Sequence, residues 1–228
     1  MYWQEDTDDE APRVADDVVD LVFALSCKSL PVDHVYPLFE AVHAVLPWLL
    51  DEPSAGVHAV NVAASGNGWI RPAGPDELLY LSRRTRFELR VPRHRIADAR
   101  QLEGKTLDVN GHSFGLQGAT ERPLSSMTTL FARHLATDQN LVHEEDVLQW
   151  ASAQLKSQGI NPRKMLCGTS HTIETPDKQI GTRSLMIAEL EVAESLQLQQ
   201  QGLGPYRHLG CGLFIPHREF NDLRKKKE

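Results

Sequence analysis

The sequence predicts an α+β fold of two tandem ferredoxin-like (β-α-β-β-α-β, RRM-like) units with a C-terminal glycine-rich loop. Three observations lead there. Apolar patterning over residues 18–120 switches between strand and helix periods in the order β-α-β-β-α-β. Residues 121–220 pass through the same order with no visible repeat of residues. Between the expected last helix and last strand lie Gly202, Gly204, Gly210 and Gly212. Glycine that dense means a backbone that turns sharply or meets something leaving no room for a side chain. The expected organisation is an acidic flexible tail over 1–17, a first unit over 18–120, a second over 121–220 and a basic tail over 221–228.

Each element follows from local pattern. VVDLVFALSCKSL (Val18 to Leu30) is β-branched and apolar, as a buried strand requires. Asp33 can cap a helix whose apolar positions Val35, Leu38, Phe39, Val42, Leu46 and Leu49 recur at helical spacing. Pro37 fits its first turn, and Pro47 kinks or ends it. Residues 57–65 and 78–92 alternate as strands, with a turn-rich loop between them. Residues 93–105 form a short helix stopped near Gly104, and Asn110-Gly111 predicts a hairpin.

In the second unit, 125–137 reads as a strand. HEEDVLQWASAQLKSQGI places acids in a first helical turn and Gly159 at the stop. Residues 161–193 supply strands around a TPDKQ turn. Ala193 to Gln201 forms a helix ended by Gly202, and CGLFIP closes as a strand.

Composition narrows the function classes. The chain has 228 residues, 41% hydrophobic and 24% charged, and can bury a real core. Its formal charge of −7 is concentrated in the first twenty residues, while the acids and bases of the remainder cancel. A local basic surface is therefore compatible with the acidic total. Cys27, Cys167 and Cys211 lie far apart without C-x-x-C spacing, which argues against a disulfide framework or zinc site and suits a reducing cytoplasm. The acidic start predicts no signal peptide, and no apolar run approaches the ~18 residues of a membrane span.

Arg207 and His208, between the two glycine pairs, would offer donors beside exposed backbone N–H groups, an arrangement suited to phosphate. No Gly-Lys-Ser/Thr follows, so this is not a Walker loop. The order helix, glycines, strand is the reverse of a dinucleotide loop. In this position the stretch resembles the C-terminal glycine-rich loop of the RAMP superfamily of CRISPR proteins. With SLPVDHVYPLFEAVHAVLPWL and ESLQLQQQGLGPYRHLGCGLFIPHR, the layout over 18–218 looks like the CRISPR-associated repeat-specific endoribonucleases of the type I-MYXAN branch. Residues 60–185 agree in element order only.

The resemblance implies cleavage of CRISPR precursor RNA within its repeats, without metal or cofactor. The strand's own 2′-hydroxyl attacks the adjacent phosphate and leaves 2′,3′-cyclic phosphate and 5′-hydroxyl ends. It implies CRISPR repeat RNA, as precursor and mature guide, and other surveillance-complex subunits as partners, with no membrane.

Such a reaction needs a base, an acid and donors for the developing phosphorane charge, and histidine suits the proton work. The candidates are His34, His43 and Tyr36 on the first helix. LFEAVH is similar to the stretch carrying the catalytic histidine of the type I-F branch, which favours His43. DHVY looks like the MYXAN pattern, which favours His34. Nine positions place these two on opposite faces of an ideal helix.

Ser125 and Ser126 are candidates for holding the scissile ribose. Residues 71–100 hold eight arginines against four acids; Arg84, Arg86 and Arg90 share strand parity and would form a phosphate-binding stripe. Gly202, Gly204, Arg207, His208, Gly210 and Gly212 are expected to face the RNA. Two other readings remain open: a non-catalytic guide-RNA-binding subunit, and a small-molecule enzyme on the same fold.

Overall fold

A computed structural model of the chain describes residues 17–62, 74, 77–141 and 143–217. Residues 1–16 and 218–228 lie outside them, and with these the expected 221–228 tail and all of the expected 1–17 tail but Asp17; so do Arg71 and most of the loop before residue 77. In chain order the elements are β1 (Val18–Ser26), β2 (Ser29–Pro31), α1 (Val35–His43), β3 (Gly56–Val57), β4 (Leu78–Tyr80), β5 (Arg86–Pro92), α2 (Ile96–Ala99), β6 (Thr106–Val109) and β7 (His112–Pro123). Then follow β8 (Leu130–Ala136), α3 (Glu144–Ser157), β9 (Lys164–Glu174), β10 (Gln179–Ala188), α4 (Val192–Gln201) and β11 (Phe214–Pro216).

Two antiparallel sheets result, in strand orders β3-β5-β1-β7-β6 and β11-β8-β10-β9. Setting aside the edge strand β6, each is the ferredoxin-like order, with the last strand of the unit beside the first. β2 and β4 pair separately. Alternation along β1, β5 and β7 sends Leu21, Phe23, Phe87, Leu89 and Phe114 to one face, where Leu38, Phe39 and Val42 of α1 cover them. A second core joins Leu130, Ala132, Leu185 and Ile187 to Val147, Ala151 and Leu155 of α3 and Leu198 of α4.

Several boundaries differ from expectation for physical reasons. α1 starts after His34, and the Asp33 side chain does not cap it. The expected strand at 78–92 breaks into β4 and β5, because Thr85 N–H donates to Ser82 O (3.0 Å) in a tight turn. β3 covers only Gly56–Val57 among the described residues. β8 starts at Leu130, so Ser125 and Ser126 lie in a connection rather than a strand. β7 continues to Pro123. The Asn110-Gly111 hairpin is present, with φ of 52° and 82° at its centre.

The other face of the first sheet is ionic. Asp20 on β1 stands opposite Arg90 on β5 and Arg122 on β7. Arg90 grips its carboxylate with two donors, Nε to Oδ1 (2.8 Å) and Nη2 to Oδ2 (3.0 Å). Arg122 Nη2 adds a third contact at 3.2 Å, and His58 Nε2 lies 3.3 Å away. The remaining Arg90 donors cross to the second unit: Nη1 reaches Gln199 O at 3.0 Å and Phe214 O at 2.8 Å. The two units are thus joined through a buried guanidinium.

Burial alone would raise the Asp20 carboxyl; the Arg90 guanidinium and His58 overcome it and hold the group well below the usual carboxylate range. Its stabilising contribution is therefore complete above the unfolded-state value of about 3.9 and is lost as pH falls toward the lower folded-state value. Asp20→Asn is expected to lower stability at pH 7 by about 3 kcal/mol, because it leaves buried Arg90 uncompensated. It should also flatten the stability curve below about pH 4. Urea unfolding across pH checks both.

Candidate functional site

The glycines meet the protein itself. At Gly212, φ is 65° and a Cβ would overlap the Leu203 carbonyl; at Gly210, φ is 79° and a Cβ would stand 2.6 Å from Val57 O. Gly202, Gly210 and Gly212 are buried, and Gly204 is exposed. Gly212 N–H donates to His134 O on β8 (2.7 Å), and Cys211 N–H to Tyr206 O (3.2 Å). The loop is folded onto β3, β8 and its own backbone, so the expectation of a broad open glycine surface does not hold.

Arg207 has a comparable inward role. Its Nη2 donates to Gln200 O (2.7 Å) and Ser54 O (3.0 Å), and Nη1 fills the space a Gly202 side chain would take. Burial, with Arg90 nearby, lowers its pKa to about 9. Its Nε and Nη1 are buried without hydrogen-bond partners. The expected outward donor is an internal clamp.

His208 takes the opposite course. It lies in the short turn Arg207–Leu209, half-buried, with its ring 4.8 Å from Phe39 on α1. Phe39 also stacks on His43 (centroids 5.3 Å apart, planes at 12°) and lies 6.3 Å from Tyr36. Two imidazoles, one from each unit, thus flank a single phenyl ring. Tyr206, in the left-handed region at φ 64°, places its ring 6.3 Å from His208. Lys178, from the turn between β9 and β10, donates to the Tyr206 hydroxyl at 2.7 Å. Burial and the neighbouring His43 push His208 below its usual value. His43 Nδ1 is buried and has no hydrogen-bond partner.

His34 is placed differently. At the start of α1 and 2% exposed, its Nδ1 lies 2.9 Å from Pro31 O and 3.1 Å from Val32 O, while Nε2 accepts from Val60 N–H at 3.1 Å. An Nδ1–H tautomer satisfies all three contacts. Neither nitrogen is open to a substrate in this geometry, and the ring pins the chain at residue 60 to the helix start. It also borders a cleft of about 690 Å³ between the units, where Asp33, Glu174, Arg133, His134 and His171 gather.

The arginine stripe divides. Arg84 is exposed in the turn before β5, and Arg86 is exposed at the strand's first residue. Arg90 is 0% exposed, so its parity with Arg86 holds but its expected exposure does not: the second unit covers that end of the strand. Arg93, Arg95 and Arg100 pair with acids, leaving Arg83, Arg84 and Arg86 without an acidic partner among the described residues. Ser125 N–H donates to Gln199 Oε1 on α4 (3.1 Å), and Ser126 is exposed.

Asp20, His58 and Glu88 bring three metal-type ligand atoms within 4.8 Å of one another. Arg90 and Arg122 already compensate these carboxylates, so the donor set does not favour a cation. The sequence marks no functional role for Lys178 or Tyr206, and Phe39 reads there only as an apolar position of the first helix. Tyr206 sits inside the glycine motif, whereas Lys178 carries no signal beyond a hairpin tip.

This geometry defines a class: a doubled ferredoxin-like protein whose C-terminal glycine-rich loop closes on its first helix. A family model, Cas6 Crispr, matches residues 19–219, and the chain belongs to that family. It is 31% identical over 198 residues to the CRISPR-associated endonuclease Cas6 of Myxococcus xanthus (strain DK1622), covering 87% of this chain and 81% of that one. A solved CRISPR associated protein Cas6 superposes with TM-score 0.62 at 11% identity, over 89% of this chain and 99% of that one. A Cas6-related gene product of Pyrococcus furiosus gives 0.59 at 11%, with coverages of 89% and 99%. CRISPR endoribonuclease Cse3 bound to 19 nt RNA gives 0.51 at 12%, with 88% and 98%. At these identities the structural likenesses speak to the fold; family membership rests on the sequence match. No helix among the described residues is long and apolar enough to cross a membrane.

Gly212→Ala is expected to destabilise by about 2 kcal/mol or more, because strain at positive φ adds to the overlap with Leu203. Gly104→Ala, at φ 76° with open space around its Cβ, should cost only about 1 kcal/mol. Thermal melts of the two variants compare the terms.

Proposed function

We propose that the chain is a metal-independent endoribonuclease that cuts CRISPR precursor RNA within its repeats. The 2′-hydroxyl is the nucleophile, the products carry 2′,3′-cyclic phosphate and 5′-hydroxyl ends, and the protein keeps the repeat as part of a cytoplasmic surveillance complex. One observation carries the chemistry: within a Cas6-family chain, the glycine-rich loop closes on α1 beside His43, a half-buried imidazole whose Nδ1 has no partner. Of the candidates on that helix, His43 is the one whose ring is not consumed by backbone contacts. Tyr36, beside Phe39 and Glu40, serves as a positioning residue.

The 2′-hydroxyl confines the reaction to RNA. Imidazole transfers protons near neutral pH, and a phosphorane needs only positioned donors besides. Arg84 and Arg86 supply an uncompensated positive end to β5 for the phosphate backbone. Arg90 and Arg207 support the site from inside. Ser125 and the loop glycines, apart from exposed Gly204, contribute mainly by holding backbone, while Ser126 stands exposed beside them.

Incubation with repeat RNA in excess EDTA tests the reading. Cyclic-phosphate and 5′-hydroxyl ends support it. Cleavage only with added divalent metal contradicts it, and salt-dependent binding without cleavage makes the chain a guide-RNA-binding subunit instead. His43→Ala is expected to slow single-turnover cleavage by ~10²–10⁴ while repeat affinity changes little.

A further inference from the structure

We propose that His208 is the second proton-transfer residue of this site, taking the 2′-hydroxyl proton while His43 serves the leaving oxygen. The inference rests on the endoribonuclease reading above and moves the glycine-rich loop from holding RNA to cutting it.

Geometry carries the argument. The loop is a rigid mount: Gly210 and Gly212 are wedged against β3 and Leu203, Cys211 N–H closes onto Tyr206 O, and Arg207 ties the turn to the end of α4 and to Ser54. Arg207 points inward, yet the next residue, His208, turns to α1 and packs on Phe39 at 4.8 Å. Phe39 also holds His43, stacked at 5.3 Å where His208 is tilted. Contact with one phenyl ring holds both half-buried imidazoles at the same place, where an acid and a base can serve one phosphate.

The titratable groups facing His208 are His43 on α1 and Tyr206 in its own loop; one step further out, Lys178 of the β9–β10 turn bonds Tyr206, and Tyr36, beside Phe39, is acted on by Glu40 and Asp177. β3 contributes no charge at Gly56 and Val57, and the adjacent His58 is engaged with Asp20. Partial burial and the repulsion of His43 favour a neutral His208, the form a base needs.

The step balances without a further reactant. Neutral His208 accepts the 2′-hydroxyl proton as that oxygen bonds to phosphorus. The bond from phosphorus to the 5′ oxygen breaks, and imidazolium His43 donates its proton to that oxygen. The products are the cyclic phosphate and a 5′-hydroxyl; one proton then passes through water from His208 to His43 and resets the pair.

The test is single-turnover cleavage of repeat RNA by wild type, His208→Ala, His208→Gln and His43→Ala, on an ordinary substrate and on one with sulfur at the bridging 5′ position. Sulfur leaves without protonation, so it bypasses an acid and not a base. Both His208 variants are expected to lose ~10²–10⁴ in rate with affinity within about threefold of wild type. They should show no rescue by the sulfur substrate and lose the acidic limb of the pH–rate profile. Imidazole in solution should restore part of the His208→Ala rate, and the sulfur substrate should restore His43→Ala. Thermal melts confirm folding, with the glutamine variant as the conservative form.

Wild-type cleavage with His208 variants within about threefold at every pH overturns the proposal alone. So does rescue of the His208 variants by the sulfur substrate, or a loss of affinity equal to the loss of rate. No cleavage by wild type overturns the endoribonuclease reading, and the proposal with it.

Discussion

Arg90 and Arg207 meet at the C-terminal end of α4, one reaching from the first sheet and one from the glycine-rich loop. A helix end leaves carbonyls without intrahelical donors and carries the negative pole of the helix dipole. Gln199 O takes Arg90, and Gln200 O takes Arg207. Burial first, and the neighbouring Arg90 guanidinium second, lower the Arg207 pKa to about 9. Asp20, gripped through two oxygens, offsets that charge from the opposite side. Removing one member of such a cluster typically costs about 3–5 kcal/mol, since an uncompensated charge stays buried. The relation between the two units, and the path of the loop, depend on this cluster.

The site follows from that path. Arg207 Nη2 also holds Ser54 O in the first unit, so the loop is fastened at both ends before it turns. Four residues of the turn then divide their work. Tyr206 meets Lys178, Arg207 turns inward, His208 meets α1 and Leu209 enters the core. His43 belongs to the first unit and His208 to the second, so neither unit holds both imidazoles. Under the proposed reading the two units need each other, because the last loop of one completes the site on the first helix of the other.

The sequence was legible where local chemistry decides. The Asn110-Gly111 hairpin, the acid-headed α3 with Gly159 after it, and Gly202 at the end of α4 all depend on a few neighbouring residues, and all are present. It was illegible where a distant segment decides. Parity placed Arg90 with Arg86, but exposure depends on the second unit lying over that end of β5. Asp20 reads as one more acid of an acidic N-terminal region, yet it is the buried counter-ion of the inter-unit contact. His34 sits in a motif that invites a catalytic role, and the Val60 N–H that occupies it comes from 26 residues away. The glycines announced close approach without saying to what, and the partner is the chain's own backbone. The meeting of His208 and His43 at Phe39 has no signature in either segment alone.

If the arginine clamp positions the loop for chemistry rather than for grip, it can be tested at Arg207, whose guanidinium turns inward. Arg207→Lys keeps a charge but loses the planar guanidinium that sets Nη2 between the Ser54 and Gln200 carbonyls and fills the space beside Gly202 with Nη1. In a variant shown by thermal melt to be folded, single-turnover cleavage of repeat RNA should fall by about tenfold or more while affinity stays within about threefold of wild type. Unchanged cleavage, or affinity falling in step with rate, would contradict the account.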